Sequence, residues 1–183
     1  MVRAKWTLFS NNDHMQQIPW FERTFDFSYE QNIFPAVLER LAGTPIRLEA
    51  KVQGLAPVVL DAKPDGKWSI KEHIGHLIDL EPIWQGRLED ILTGQVYLRT
   101  ADLDNRQTDR AQHNHSDLTD LLDRFRAVRQ KTLQLLAPLD DTAIYRTALH
   151  PRLHQPMRTM DLFLFVAEHD DHHLARISAI LRA

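Results

Sequence analysis

Apolar residues recur with helical spacing in four long segments of this chain, and polar residues occupy the remaining positions. The segments span about 33–53, 69–92, 117–137 and 159 to the chain end. Strand signals are weak, because the apolar run at 55–60 is short and contains Pro57. Four amphipathic segments of about 20 residues predict an all-α fold, a four-helix bundle.

Local signals set several helix boundaries. Ser69 followed by Glu72 forms a capping box, which predicts the start of the second helix. Pro82 lies inside that helix and predicts a kink, because proline has no N–H to donate to the carbonyl of Ile78. In the first segment, Gly43-Thr44-Pro45 predicts an interruption, with a stop at glycine and a restart capped by threonine.

The connections at 94–115 and 138–158 are too long for the tight turns of an up-down-up-down bundle, so they predict long crossovers. No repeat or linker divides the chain, and residues 1–183 are expected to form one domain. Residues 1–30 are expected to form an N-terminal extension that packs on the bundle, because its aromatic stretch 18–27 would otherwise be exposed. A substrate-gating lid is the alternative interpretation of that stretch.

Composition narrows the function classes. The net charge is −3, from 22 basic and 25 acidic residues, which argues against a nucleic-acid partner. The chain has no cysteine, so it has no thiolate nucleophile, and any metal site must use His, Asp or Glu. No apolar stretch has the length of a signal peptide core or a membrane span, so we expect a cytoplasmic protein with no membrane partner.

The most concentrated chemistry lies in the fourth helix, where residues 169–173 read His-Asp-Asp-His-His. On a helical wheel His169 and His173 fall on the apolar stripe and His172 falls at its edge. The stripe comprises Leu162, Val166, Ile177 and Ile180. An i, i+4 pair of histidines can share a metal ion, although a hydrogen-bonded pair of core histidines is the alternative. A third inward histidine would favour metal, in the three-ligand arrangement of catalytic zinc.

The second helix offers two candidates for that third histidine, His73 and His76. The wheel mildly favours His73 and does not decide between them. Asp170 lies on the apolar side of the fourth helix, where an unpaired carboxylate is costly. Two roles are open for it: it orients a ligand histidine, or it forms a buried ion pair with an arginine from another helix.

The loop before the fourth helix is basic and includes His150 and Arg152. Basic groups beside a helix N-terminus favour anions, so these residues are candidates for binding a carboxylate-bearing cosubstrate at the mouth of the site. An ordinary polar loop is the alternative.

Two stretches, WSIKEHIGHLID at 68–79 and HDDHHLARI at 169–177, resemble the DinB/YfiT-like superfamily of four-helix-bundle metalloproteins. The likeness extends from about residue 32 to the C-terminus. In the family pattern, a histidine precedes a hydrophobic residue and a nearby aspartate on the second helix, and H-x-x-x-H lies on the fourth. The resemblance thereby implies His76, His169 and His173 as metal ligands. His73 and Asp170 are then our candidates for orienting them.

The resemblance also implies an up-down-down-up bundle, a divalent metal (zinc or nickel) and a homodimer. It implies a metal-dependent thiol transferase or hydrolase, in which a low-molecular-weight thiol such as bacillithiol, or water, attacks a small electrophilic substrate. The alternative is a non-enzymatic, stress-related or damage-inducible bundle protein with a structural metal. That alternative needs a fourth ligand, for which His73, Glu72 and Asp170 are the candidates.

Overall fold

The computed structural model describes residues 17–27 and 30–182. Four long helices form the body of the protein: α1 (Phe34–Val52), α3 (Ile70–Leu92), α5 (Leu118–Leu136) and α7 (Thr159–Ile180). Three short helices lie in the connections: α2 (Pro57–Leu60), α4 (Arg106–Ala111) and α6 (Asp141–Tyr145). An antiparallel pair of short strands, β1 (Thr147–Leu149) and β2 (Pro156–Arg158), leads into α7. Single 3₁₀ turns span Trp20–Glu22, Pro64–Gly66 and His113–His115.

Side-chain contacts define how the long helices are directed. Helix α3 runs parallel to α5, because Glu81 contacts Arg129 and, one turn later in both helices, Gln85 contacts Thr132. The long connection 93–117 makes this parallel arrangement possible, since it returns the chain to the starting end of α3.

Helix α1 is likewise parallel to α7, because Arg40 contacts Glu168 and Lys51 contacts Ser178. The α1 and α5 pair is antiparallel, as is the α3 and α7 pair. The helices therefore run up-down-down-up, and the all-α, four-helix-bundle prediction with long crossovers is confirmed.

Helix α3 begins where the capping box predicts. The Ser69 hydroxyl accepts from the Glu72 N–H at 3.1 Å, and the Glu72 carboxylate accepts from the Ser69 N–H at 2.9 Å. The helix continues through Pro82 to Leu92, and most of its side chains are buried on more than one face. This helix contributes to two apolar clusters, one around Ile74 in its first half and one around Trp84 in its second half.

The interruption predicted at Gly43-Thr44-Pro45 is wrong, because α1 is one continuous helix with Pro45 inside it. Pro45 has no N–H for the carbonyl of Leu41, but the Arg129 side chain donates to that carbonyl at 3.2 Å. The Thr44 hydroxyl contacts both the Arg40 carbonyl and the Asp170 carboxylate. Contacts from other helices therefore satisfy the groups that would otherwise end the helix.

A fully buried ion-pair network joins all four long helices. Arg129 on α5 donates to Asp170 on α7 at 2.5 and 3.0 Å and to Glu81 on α3 at 2.7 Å. Thr44 on α1 donates to the same Asp170 carboxylate at 2.8 Å. Burial raises the pKa of Glu81, and its other oxygen is hydrogen-bonded to the Thr132 hydroxyl. Every helix of the bundle thus contributes a polar group to its centre.

The N-terminal segment 17–27 lies against α7. Trp20 and Phe25 pack on Phe165 with ring centroids 5.0 and 4.9 Å apart, whereas Phe21 is exposed. Residues 1–16, 28 and 29 of the expected N-terminal extension lie outside the described residues. In the part of the chain that the structure describes, no helix is long and apolar enough to cross a membrane.

We expect Arg129→Met to lower the free energy of unfolding by about 3–5 kcal/mol, because it leaves the buried Asp170 and Glu81 carboxylates without a cation. Arg126→Met, on the same helix, removes only exposed pairs with Glu49 and Asp123 and should cost less than about 1 kcal/mol. Urea unfolding of both variants provides the measurement. Equal losses in the two variants would contradict a central role for Arg129.

Candidate metal centre

Three buried histidines from two helices converge between α3 and α7. His76 comes from α3 and His169 and His173 come from α7, and each offers a ring nitrogen within 4.8 Å of those of the other two. Their ring centroids lie 4.5–5.2 Å apart. The structure thus brings together the three residues that the resemblance selected, and their role as metal ligands stays a prediction.

The two histidines of α7 are spaced as a shared ion requires. They lie one helical turn apart on the face toward α3, and their Nε2 atoms are 3.2 Å apart. Two imidazole nitrogens at about 2.0–2.1 Å from a tetrahedral zinc ion are separated by roughly 3.3 Å. The observed spacing therefore fits two ligands of one metal.

Burial keeps the rings neutral. It lowers the pKa of His76 to about 4 and the pKa values of His169 and His173 well below the ordinary histidine value. The guanidinium of Arg129 adds to the shift of His169. A neutral imidazole has one unprotonated nitrogen, which is the form that binds metals, so the cluster offers a set of three nitrogen donors at neutral pH.

A hydrogen-bonded chain fixes the ring of His76. Its Nδ1 lies 3.1 Å from the hydroxyl of Thr108, which donates to the Asp79 carboxylate at 2.9 Å. Because that hydroxyl donates to Asp79, it accepts from His76 Nδ1–H, which leaves His76 Nε2 unprotonated. His113 Nε2 also contacts Asp79 at 2.9 Å, and the His113 ring fits over Gly75, where a Cβ would lie 2.1 Å from it.

His73 orients a different member of the cluster. Its Nδ1 lies 2.9 Å from Nδ1 of His173, so one of these two rings donates to the other. With the proton on His173 Nδ1, the His173 Nε2 is left unprotonated toward His169. The contact agrees with the orienting role suggested for His73, which stays a prediction.

His169 is held by aromatic rings. Trp20 and Trp84 pack against it with centroids 4.8 and 5.9 Å away, both edge-on. Its Nδ1 is buried and has no hydrogen-bond partner among the described residues. His172, which the wheel put at the edge of the stripe, faces the N-terminal segment, where Gln17 lies 2.8 Å from its Nδ1.

Asp170 does not orient a histidine. Its two oxygens accept from Arg129 and Thr44, so of the two roles left open by the sequence, the structure shows the buried ion pair. The physical reason is that α7 turns Asp170 toward α1 and α5, away from α3. Glu72 is engaged in the cap of α3 and in an ion pair with Lys63.

A cavity of about 710 Å³ opens beside the three histidines. Apolar side chains of Leu80, Trp84 and Phe165 form one wall, and Trp68 lies 4.6 Å from the His76 ring. The far end of the cavity is lined by Arg87, His150 and Arg152. His150 and Arg152, the two candidates from the loop before α7, therefore lie together, in the same cavity as the histidines.

Sequence reasoning missed three residues of this site. Thr108 and His113 come from the connection between α3 and α5, where no periodic pattern indicates which side chains turn inward. Arg87 did carry a signal in the sequence, because it lies three residues after Trp84 on the apolar stripe of α3. In the structure it is only 2% exposed.

Comparison with known proteins agrees with this architecture. Residues 40–177 match the family model described as the DinB superfamily. A similar solved structure, YfiT from Bacillus subtilis, has a TM-score of 0.75 and 22% sequence identity, covering 88% of this chain and 93% of that chain. It is described as a probable metal-dependent hydrolase with an unusual four-helix bundle topology. No curated protein matches this chain.

We expect the protein to lose stability as the pH falls from 7 toward 5. Burial lowers the pKa values of His73 and His76 from 6.5 to about 3 and about 4. Between pH 7 and 5 these histidines therefore bind protons in the unfolded chain but not in the folded one, which favours unfolding. Each such histidine lowers the free energy of unfolding by up to about 1.4 kcal/mol per pH unit.

Urea unfolding at several pH values, with a chelator present, measures this slope. His73→Asn should reduce the slope, whereas His115→Asn, at an exposed position, should leave it unchanged. A wild-type free energy of unfolding that stays constant between pH 7 and 5 would contradict the prediction.

Proposed function

This chain belongs to the DinB superfamily, and from that premise we propose that it is a metal-dependent enzyme. In this proposal His76, His169 and His173 hold a divalent ion, zinc or nickel, at which a low-molecular-weight thiol or water is activated against a small electrophilic substrate. The observation that carries it is the convergence of three neutral imidazoles from two helices on the wall of one cavity. The description of YfiT as a probable metal-dependent hydrolase supports the general class.

Each part of the site has a task in such a reaction. A bound divalent ion supplies Lewis acidity and lowers the pKa of a thiol or water at its side. Thr108 and His73 hold two of the imidazoles in the tautomer and orientation that present an unprotonated nitrogen. Trp20 and Trp68 cover the rings from either side and limit access of bulk water.

The reacting groups come from outside the chain. Without cysteine, the protein supplies no thiol of its own, so in a thiol-transfer reaction the nucleophilic sulfur belongs to a cosubstrate. The apolar wall of Leu80, Trp84 and Phe165 suits the hydrocarbon part of an electrophile. A cavity of this size is typical of sites for small molecules.

The geometry favours an open site over the structural-metal alternative. Of the three candidates for a fourth ligand, Glu72 caps α3 and Asp170 pairs with Arg129. His73 directs Nδ1 to the ring of His173 and is outside the group of converging nitrogens. Three protein ligands beside a cavity are the arrangement of catalytic zinc rather than structural zinc. A homodimer and a cytoplasmic location stay predictions of the sequence.

Metal content after reconstitution tests the ligand set. We expect about one divalent ion per wild-type chain and a large loss in His169→Ala, which removes one of three donors. His172→Ala is the matched control, because this histidine is on the same helix and outside the cluster, and it should retain the ion. Elemental analysis after dialysis provides the measurement, with circular dichroism to verify that each variant is folded.

Two results would overturn the ligand assignment: a wild-type protein that holds no stoichiometric ion, or equal retention in His169→Ala and His172→Ala. For the open site, a cobalt-substituted sample should change its visible spectrum on addition of a thiol, and a closed site should not. Turnover of a fluorogenic electrophile with and without added thiol then separates thiol transfer from hydrolysis.

Gly75→Ala tests the support of His76 without touching a ligand. A Cβ at position 75 displaces the His113 ring, which loosens the contact through Asp79 and Thr108, and we expect metal affinity to fall by about 10–100-fold. Gly43→Ala is the control, since its Cβ meets only Arg47 at 4.0 Å, and it should leave affinity unchanged. Competition with a chromophoric chelator measures both. Unchanged metal affinity in Gly75→Ala would show that the hydrogen bonds through His113, Asp79 and Thr108 do not position His76.

A further inference from the structure

The far end of the cavity holds two guanidinium groups that have no carboxylate partner within residues 17–27 and 30–182. Arg87 is 2% exposed, and its side chain donates to the Arg99 carbonyl at 3.1 Å. Asp90, the carboxylate whose charge reaches Arg87, is hydrogen-bonded to Arg99 through both oxygens. Arg152 has a buried Nη2 without a hydrogen-bond partner among those residues. Buried charges in proteins are normally paired, so the buried guanidinium of Arg87 and the buried Nη2 of Arg152 require an explanation.

His150 contacts both arginines and, within the described chain, has an N–H group that faces no acceptor. Its Nδ1 accepts from the backbone N–H groups of Arg152 and Leu153 at 3.2 and 3.1 Å. Since a backbone N–H only donates, Nδ1 is unprotonated and the neutral ring carries its proton on Nε2. That Nε2 is 3.1 Å from Nη1 of Arg87, which is also a donor. Two N–H donors therefore face each other and share no acceptor.

The electrostatics of the three groups agree with a missing negative charge. Burial and the charge of Arg152 lower the pKa of Arg87 to about 10, with Asp90 opposing them. Burial, Arg87 and Arg152 lower the pKa of His150 to about 3. An anion would offset the repulsion between the two guanidinium groups. Its oxygen would accept from the facing N–H donors of Arg87 and His150, at about 2.9 Å from each nitrogen.

We propose that Arg87, His150 and Arg152 form an anion subsite, and that the substrate or cosubstrate of this enzyme is a small molecule that carries an oxyanion, a carboxylate or a phosphate. The subsite stands on its own contacts, whereas its assignment to the substrate rests on the proposed function. Arg87 provides the buried anchor of the subsite, and Arg152, stacked over Phe21 at 5.4 Å, provides its outer side.

Trp84 fixes how the subsite relates to the histidine cluster. Its ring lies 5.3 Å from Cζ of Arg87 and 5.9 Å from the ring of His169, so one indole separates the two ends of the cavity. A ligand held by its anion at Arg87 would extend along this indole and bring its other end to the histidines. Such a ligand would carry its reactive atom and its anionic group at separate ends.

Anion titration of the full-length, metal-loaded protein tests the subsite. Sodium acetate and inorganic phosphate are added separately at constant ionic strength set with sodium chloride, and the ¹⁵N shift of His150 Nε2 and the thermal midpoint are followed. We expect saturable binding of at least one anion, with a shift of that resonance. Binding of acetate indicates a carboxylate ligand, and binding of phosphate alone indicates a phosphate ligand.

Single substitutions test which residues bind the anion. Arg152→Met and Arg87→Met should each weaken anion binding about ten-fold or more, whereas Arg126→Met, at an exposed arginine on α5, should bind as wild type. Arg152 is only partly buried, so its variant should fold even if Arg87→Met does not. His169→Ala should keep anion binding while it loses metal, which separates this proposal from that of the metal site.

Three outcomes would overturn the subsite. The first is no saturable response to either anion beyond that to chloride. The second is wild-type affinity in Arg152→Met. The third is loss of anion binding in a folded His169→Ala, because the anion would then be bound at the metal. Failure of His169→Ala to lose metal, with anion binding intact, would contradict the proposed ligand set and leave the anion subsite standing.

Discussion

The arrangement of this bundle depends on the buried guanidinium of Arg129. From α5 it contacts α1, α3 and α7, through the Leu41 carbonyl, Glu81 and Asp170. A buried ion pair adds little net stability over an apolar core, but any other helix register would leave a buried charge without its partner. Because Asp170 is adjacent to His169, the same contact that fixes α7 in the bundle also sets the height of the histidines against His76. The core ion pair and the candidate metal site therefore depend on the same placement of α7.

The cavity beside this core is divided into two electrostatic halves. On one side of Trp84 the histidines are neutral and offer lone pairs, and on the other side Arg87 offers positive charge with no carboxylate contact in the described chain. A buried cation without a partner costs the folded protein free energy, and the desolvated imidazoles make it less stable as the pH falls below neutral. Native proteins keep such features mainly at functional sites, where a ligand completes the charge. In our two proposals the halves bind ligands of opposite sign, a cation at the histidines and an anion at the arginine.

The hydrophobic pattern predicted the bundle, the start of α3 at Ser69 and the inward direction of His169 and His173, because these follow from local spacing. It could not choose between His73 and His76, since α3 is buried on most faces and a wheel discriminates only when one face is solvated. The family resemblance, not the wheel, selected His76. The predicted break at residues 43–45 failed for a related reason: the groups that a proline leaves unsatisfied were bonded by Arg129, which is 84 residues away from Pro45 in sequence. Long-range polar contacts of this kind leave no periodic signal.

The connections explain why a four-helix bundle can form such a site at all. In a bundle with tight turns, the helix ends are occupied by short loops, and a side chain from a loop seldom reaches the core. Here the long crossover between α3 and α5 returns along α3 and inserts Thr108 and His113 beside His76. The β1–β2 hairpin does the same at the other end with His150, whose ring reaches Arg87. The parallel pairing of α3 with α5 demands a long connection, which supplies Thr108 and His113 beside His76, and the separate connection between α5 and α7 supplies His150 and Arg152 to the cavity.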